Sequence, residues 1–333
     1  MTWFLDLTGF HETTAEAARA QLSHDGETLT SHANGRQFHA GPFEMASLQQ
    51  LRERTAELGD AKPVRLQEIV ADAGALHAAP ASAGALFQAA SQFNMLEMVG
   101  QHVTPEAGIA GYEHDRTQGP ACAIACGAGT IVRQYFVPCG GGLGQTEERQ
   151  LDGLADIGRV LGNDAHGYWT MSNGYALANT SGLMALNPVL TGMSGAERDA
   201  LGARLRLGVQ WSTEVTREAA GHRVAQVYGS ALPIGYCTAP TELWEPFARL
   251  VLDASYEGTL HAARVNAEVT GNRDVFLTLI GGGVFANPVE WILDAIDRAL
   301  GVRAASGLNV HIVSYGRSNP LIADRLGAWM QAP

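Results

Sequence analysis

Basic residues are scarce in this chain: 22 Lys and Arg stand against 34 Asp and Glu, a formal net charge of −12 at pH 7. No Lys/Arg run exceeds a pair. Without a basic field there is nothing to attract a polyanion non-specifically, so bulk duplex nucleic acid and anionic membrane surfaces are disfavoured as partners. Long apolar runs are missing too. No window reaches the roughly 18 uncharged residues needed to span a bilayer, and the start MTWFLDLTGF has neither a basic leader nor a long apolar core. A soluble, cytoplasmic protein is expected. Four cysteines, Cys122, Cys126, Cys139 and Cys237, are too few for a disulfide framework in 333 residues, and CxxxC is not the spacing of a zinc site. They read as buried thiols. His102, His114 and His166 do not fall into HxH or HExxH, so no metal is expected, and no cofactor. The oligomeric state is left open.

What is abundant is apolar: 46% of residues are hydrophobic and only 17% charged, enough to bury a large core in one large or two interlocked domains. Asn34-Gly35 marks a tight hairpin, and a short helix follows from Ser47. Strand-like pieces lie around Leu66 to Val70 and Ala85 to Ala89. Between about 104 and 220 the pattern is less regular, with a small-residue helix after Pro120 and another predicted from Thr146 to Leu161. The C-terminal third alternates clearly: HRVAQVYG as a strand, a long helix from Leu243 to about Ala267, VFLTLI as a strand, a helix from Pro288, and NVHIVSY as a strand. Such alternation argues for a parallel sheet covered on both faces.

The segment LTLIGGGVFANPVEWILDAI reads as strand, glycine loop, helix. Asn287 can cap the helix, Pro288 suits its first position, and Glu290 stands three residues after the cap. Val289, Ile292, Leu293, Ile296 and Leu300 recur at helical spacing. Three glycines leave backbone amides bare near the positive end of the helix dipole, which suits a phosphate or diphosphate. A turn needed only for tight strand-to-helix packing would look the same. Gly281, Gly283 and Ala286 also fit G-x-G-x-x-A, but the next strand ends in Gly316-Arg317 rather than in the acidic residue a dinucleotide fold requires.

Gly282-Gly283-Val284-Phe285-Ala286-Asn287-Pro288 resembles the S/T-G-I/V-F-G-x-P loop of macrodomains, the ADP-ribose-binding α/β/α modules. There too a long Ala- and Leu-rich helix precedes the strand. Gln88-Ala89-Ala90-Ser91-Gln92-Phe93-Asn94 resembles, more loosely, that family's N-A-A-N strand end. Val70-Ala71-Asp72 resembles its G-D-I. Gly140-Gly141-Gly142-Leu143-Gly144-Gln145-Thr146-Glu147-Glu148 is similar to the GGG and Q-E-E signature of poly(ADP-ribose) glycohydrolases, with a shorter gap and an interrupting Thr. The resemblance implies an α/β fold: a three-layer α/β/α macrodomain-like mixed sheet with a large, mostly helical insertion and an N-terminal extension. As one elaborated domain over 1–333, it would comprise an extension (1–63), a core (64–103 and 221–333) and an insertion (104–220).

By the same resemblance the ligand is ADP-ribose or an ADP-ribosylated substrate. Gly281, Gly282, Gly283, Val284, Phe285, Ala286 and Asn287 would wrap the diphosphate, with Phe285 near the distal ribose. Asp72 would accept from the adenine amino group, and Gln88 or Asn94 would hold the ribose. The alternatives are a turn residue for Asp72 and a satisfied loop amide for Asn94. Cleaving a ribosyl conjugate needs a group to protonate the leaving atom or activate water, and a carboxylate serves. Glu97 is the first candidate, then Glu113 and Asp115, which precede the polar helix start Thr117-Gln118, then Glu148. An ADP-ribosyl hydrolase is the first reading, a non-catalytic ADP-ribose module the second, and an NAD(P)-binding oxidoreductase the third.

Overall fold

The computed structural model describes residues 2–59, 62–302 and 305–329. Seven strands form its main sheet: β1 (Phe43–Ser47), β2 (Arg65–Val70), β3 (Leu86–Ala90), β4 (Arg206–Glu214), β5 (Arg223–Gly229), β6 (Asp274–Leu277) and β7 (Asn309–Ser314). Their order is β1-β4-β5-β3-β6-β7-β2. The last five run parallel, whereas β4 is antiparallel to both of its neighbours. Strands buried on both faces need apolar side chains throughout, and β5 is buried from Val224 to Gly229.

Alternate side chains feed two layers. Leu86, Val227, Val275, Leu277, Val310 and Ile312 pack with the 30-residue helix Thr241–Thr270 and the helix Val289–Gly301 in the main core. On the opposite face, Phe87, Val224 and Phe276 join a smaller cluster with Cys126 and Leu76. The result is a three-layer α/β/α fold around a mixed sheet. The helices that matter below are α1 (Leu48–Thr55), α2 (Ala73–Ala78), α3 (Gln118–Ala125), α4 (Gly127–Tyr135), α5 (Thr241–Thr270) and α6 (Val289–Gly301).

β1 comes from the first 63 residues and β4 from the 104–220 segment, yet both belong to this one sheet. The N-terminal residues also build a second core, in which Phe4, Leu7 and Phe10 pack with Leu96, Met98, Ile109 and Tyr112. They thereby support the loop that follows β3. The Asn34-Gly35 turn does join two antiparallel strands, Thr28–Ser31 and Gln37–His39.

Two elements differ from expectation. The helix predicted from Thr146 is instead a turn closed by reciprocal Thr146 and Arg149 backbone bonds, and only Ala155–Leu161 is helical. The side chains of Gln145 and Asp152 take the Leu151 and Leu154 amides, offering the backbone an alternative to helix. The helix after the glycine loop starts at Val289, with Pro288 at the cap position and no side-chain cap bond. Asn287 is turned inward to the loop.

At α1 the Ser47 hydroxyl accepts from Gln50 N while the Gln50 side chain accepts from Ser47 N, a complete capping box at the β1 junction. Ser47→Ala should lower stability by about 1 kcal/mol, read as a shift of the urea midpoint at unchanged slope.

Candidate functional site

The site lies where two parallel strands part. β3 and β6 pair only at Leu86 with Val275 and Phe87 with Phe276, and beyond that point side chains replace the ladder. The Gln88 carboxamide accepts from Thr278 N (3.2 Å) and donates to Thr259 Oγ1 (3.0 Å). Gln118 at the start of α3 accepts from Ala90 N and donates to Gln88 O, both at 2.8 Å. Tyr256 Oη, from α5, donates to Thr278 O and accepts from Ile280 N. Above this fork, at the C-terminal ends of the parallel strands, opens a cavity of about 660 Å³, within the size range of ligand sites and at the place where open α/β sheets bind ligands.

The glycine loop forms one wall. Gly281 has φ +78°, and a Cβ there would lie 2.4 Å from that of Ala231, so glycine is required. Ala286 also has a positive φ, +56°, which explains why the resembled loop carries glycine at this position. The Asn287 carboxamide donates to the carbonyls of Leu232, Gly281 and Phe285, tying both ends of the loop together. The amides of Gly282, Ala286 and Asn287 are consumed within the loop. Those of Gly281, Gly283, Val284 and Phe285 have no acceptor among the described residues. Bare amides at such a turn form a concavity for an anion. Phe285 is held edge-on to Tyr236 and tilted against Tyr175, with ring centroids 5.6 and 5.4 Å away.

Glu97 lines the same cavity. Its segment is pinned by bonds from Ser91 Oγ and Gln92 N to Leu96 O, and Glu97 N donates to Tyr112 Oη. The carboxyl group is buried, both oxygens are shut off from solvent, and Arg133, Ser91 and Tyr112 are its polar neighbours. Burial pushes its pKa up to about 7, against the pull of the Arg133 guanidinium 3.5 Å away. A carboxyl group that titrates near neutrality beside a cavity can give or take a proton in catalysis. α3 approaches closely enough that a Cβ on Gly119 would lie 2.0 Å from Ala90 O.

The rim is polar. Asp72 caps α2 through a bond from Ala75 N, and Asp115 accepts from Thr117 N. Both line the cavity, as do Thr117, Gln118, Gly281, Gly282, Gly283, Val284, Phe285 and Glu97. Gln118 does so with its carboxamide committed to the β3 backbone. The other expected residues are elsewhere. Gln88 is wholly buried under the fork, and Asn94 is spent on Leu96 N and Gln150. Glu113 accepts from Trp3 N, and Glu148 is exposed in the 146–149 turn. Ala286 and Asn287 shape the loop from behind.

Sequence reasoning missed Tyr315, Arg116, Tyr175 and Tyr236, all of which line the cavity. Tyr315 is 80% exposed just beyond the end of an apolar strand, a position that in sequence looks like the strand's last residue. Its loop is braced by Glu68, which accepts from Ser314, Ser318 and Asn319 N. Arg317 follows on the same rim.

No family profile matches the chain, and no curated protein does. Among solved structures it is similar to poly(ADP-ribose) glycohydrolases. One from Thermomonospora curvata is 16% identical with a TM-score of 0.43, covering 95% of this chain and 97% of that one. The same enzyme bound to the inhibitor ADP-HPD gives 14% and 0.43, over 92% and 93%. That of Deinococcus radiodurans in complex with ADP-ribose gives 13% and 0.43, over 87% and 92%. At such scores and identities the likeness carries no inference about residues or activity. The reading below rests on this chain's own site.

Gly119→Ala should cost about 2 kcal/mol, because the α3 backbone must retreat from β3. With it the Gln118 bonds to Gln88 and Ala90 should loosen, seen as faster hydrogen exchange at the Ala90 amide.

Proposed function

We propose that the protein binds ADP-ribose across the fork and hydrolyses the bond joining its distal ribose to an attached group. The observation that carries this reading is that one cavity is lined both by the 281–285 loop, four of whose amides have no acceptor among the described residues, and by Glu97, whose buried carboxyl group has its pKa pushed up to about 7. The loop follows β6, in the middle of the five parallel strands. The diphosphate belongs there, on amides that favour negative charge. To one side β7 and β2 end in Tyr315 and Asp72, a stacking face and an acceptor suited to an adenine ring and its amino group. To the other side lie Phe285 and Glu97, which suit the distal ribose.

In the reaction, the bond from the anomeric carbon to the leaving atom breaks and its electron pair departs with that atom. Glu97 supplies the proton. The oxygen of a water molecule then bonds to the anomeric carbon, and its surplus proton returns to the Glu97 carboxylate. A module that holds ADP-ribose without turning it over would need the loop and Asp72 and make no use of Glu97.

Calorimetry with ADP-ribose is the first test. The absent Cβ of Gly283 faces open space, so Gly283→Phe should leave the melting temperature unchanged and weaken ADP-ribose binding by roughly 100-fold. No binding by the wild type, or equal binding by the variant, overturns the reading. Glu97→Gln should keep ADP-ribose affinity and lose turnover of ADP-ribosyl conjugates; retained turnover removes Glu97 from the mechanism. A general acid must be protonated, so kcat/KM should be flat below about pH 7 and fall roughly tenfold per unit above it.

A further inference from the structure

We propose that Arg133 is the positioning residue for Glu97, a fixed buried cation that holds the carboxyl group in place beneath the cavity. The proposal rests on Glu97 acting at a bound substrate. Arg133 lies on α4 and is fully buried, so it cannot touch the ligand itself. Its guanidinium is stacked over the Tyr228 ring, 3.6 Å from the centroid, and donates from Nε to Met95 O and from Nη2 to Thr130 Oγ1. These contacts leave it one place to be. Glu97 Oε2 is 3.5 Å from Nη2, a long contact that is still a strong attraction in a buried setting. Arg133 Nη1 has no partner, and both carboxyl oxygens are shut off from solvent with Arg133, Ser91 and Tyr112 as their polar neighbours. A pair built only for stability would close the contact and use the spare Nη1, since an orphaned buried donor is costly. This one is held apart beside a cavity that Glu97 lines and Arg133 does not.

The other groups facing Glu97 come from every element around it: Tyr112 from the 110–114 turn, Ser91 from its own loop, Cys122 from α3 and Tyr228 from β5. Burial pushes the titrating groups among these, the two phenols and the thiol, well up, so they stay neutral near pH 7. Arg133 is thus the cation that opposes the effect of burial on Glu97.

The test follows the Glu97 carboxyl carbon by NMR in protein labelled with 13C at glutamate Cδ, the resonance being the one missing in Glu97→Gln. It should titrate near pH 7 in the wild type, about one pH unit or more higher in Arg133→Met, and close to wild type in Arg133→Lys. The alkaline limb of kcat/KM should move with it. Arg133→Lys should lower kcat with KM unchanged, and ADP-ribose affinity should be the same in all three. Should Arg133→Met fail to fold, Tyr228→Leu, which removes the ring under the guanidinium together with its hydroxyl bond to Gln226, should move the resonance in the same direction. An unmoved Glu97 resonance in the folded variant overturns the proposal. Absence of turnover in every form, wild type included, overturns the hydrolase reading instead, and the titration still decides the role of Arg133.

Discussion

The site depends on one backbone problem and its solution. Two parallel strands, β3 and β6, pair for two residues and then part, and each group released from the ladder must find another partner if it is to remain out of water. Gln88, Gln118 and Tyr256 provide these partners from three separate segments of the chain. The cavity exists because these side chains hold the strands open. Apolar residues in their places would leave several buried amides and carbonyls unsatisfied, and the fork would have no reason to stay open.

The second constraint is electrostatic. A carboxyl group and a guanidinium buried together are worth little in net stability, because desolvation offsets most of their attraction. The structure nevertheless commits much to this pair. The segment 91–98 is stitched to itself and to Tyr112, and the N-terminal helix Trp3–Thr8 helps build the core behind it. Packing that could have been spent on stability holds a titratable group beside a cavity whose other wall offers bare amides. Opposed positive and protonatable walls suit a ligand that is anionic at its centre and reactive at one end.

Much of this was legible in the sequence where local rules apply. Apolar strands and amphipathic helices alternate through the C-terminal third, and β5, β6, α6 and β7 stand where that alternation puts them. The glycine turn was readable from its bare backbone, whereas Glu97 was expected only through the family resemblance; both line the cavity. Gln88 and Asn94 were less legible. As polar residues at a strand end they resemble ligand contacts, but their side chains satisfy backbone at the fork and in the loop. The 146–161 segment has helical composition, yet Gln145 and Asp152 draw its first half into turns. Tyr315 looked like the last residue of a strand.

By itself the sequence determined most of the secondary structure, its α/β alternation and a glycine turn with bare amides, because these follow from side-chain period and glycine conformation. Tertiary structure decided which acids share a cavity with the loop, since Asp72, Glu97 and Asp115 lie far from Gly283 in the chain and come together only in the fold. It also decided the state of Glu97. A carboxyl group's affinity for its proton depends on burial and on a cation 36 residues away, and neither is a property of the sequence around Glu97.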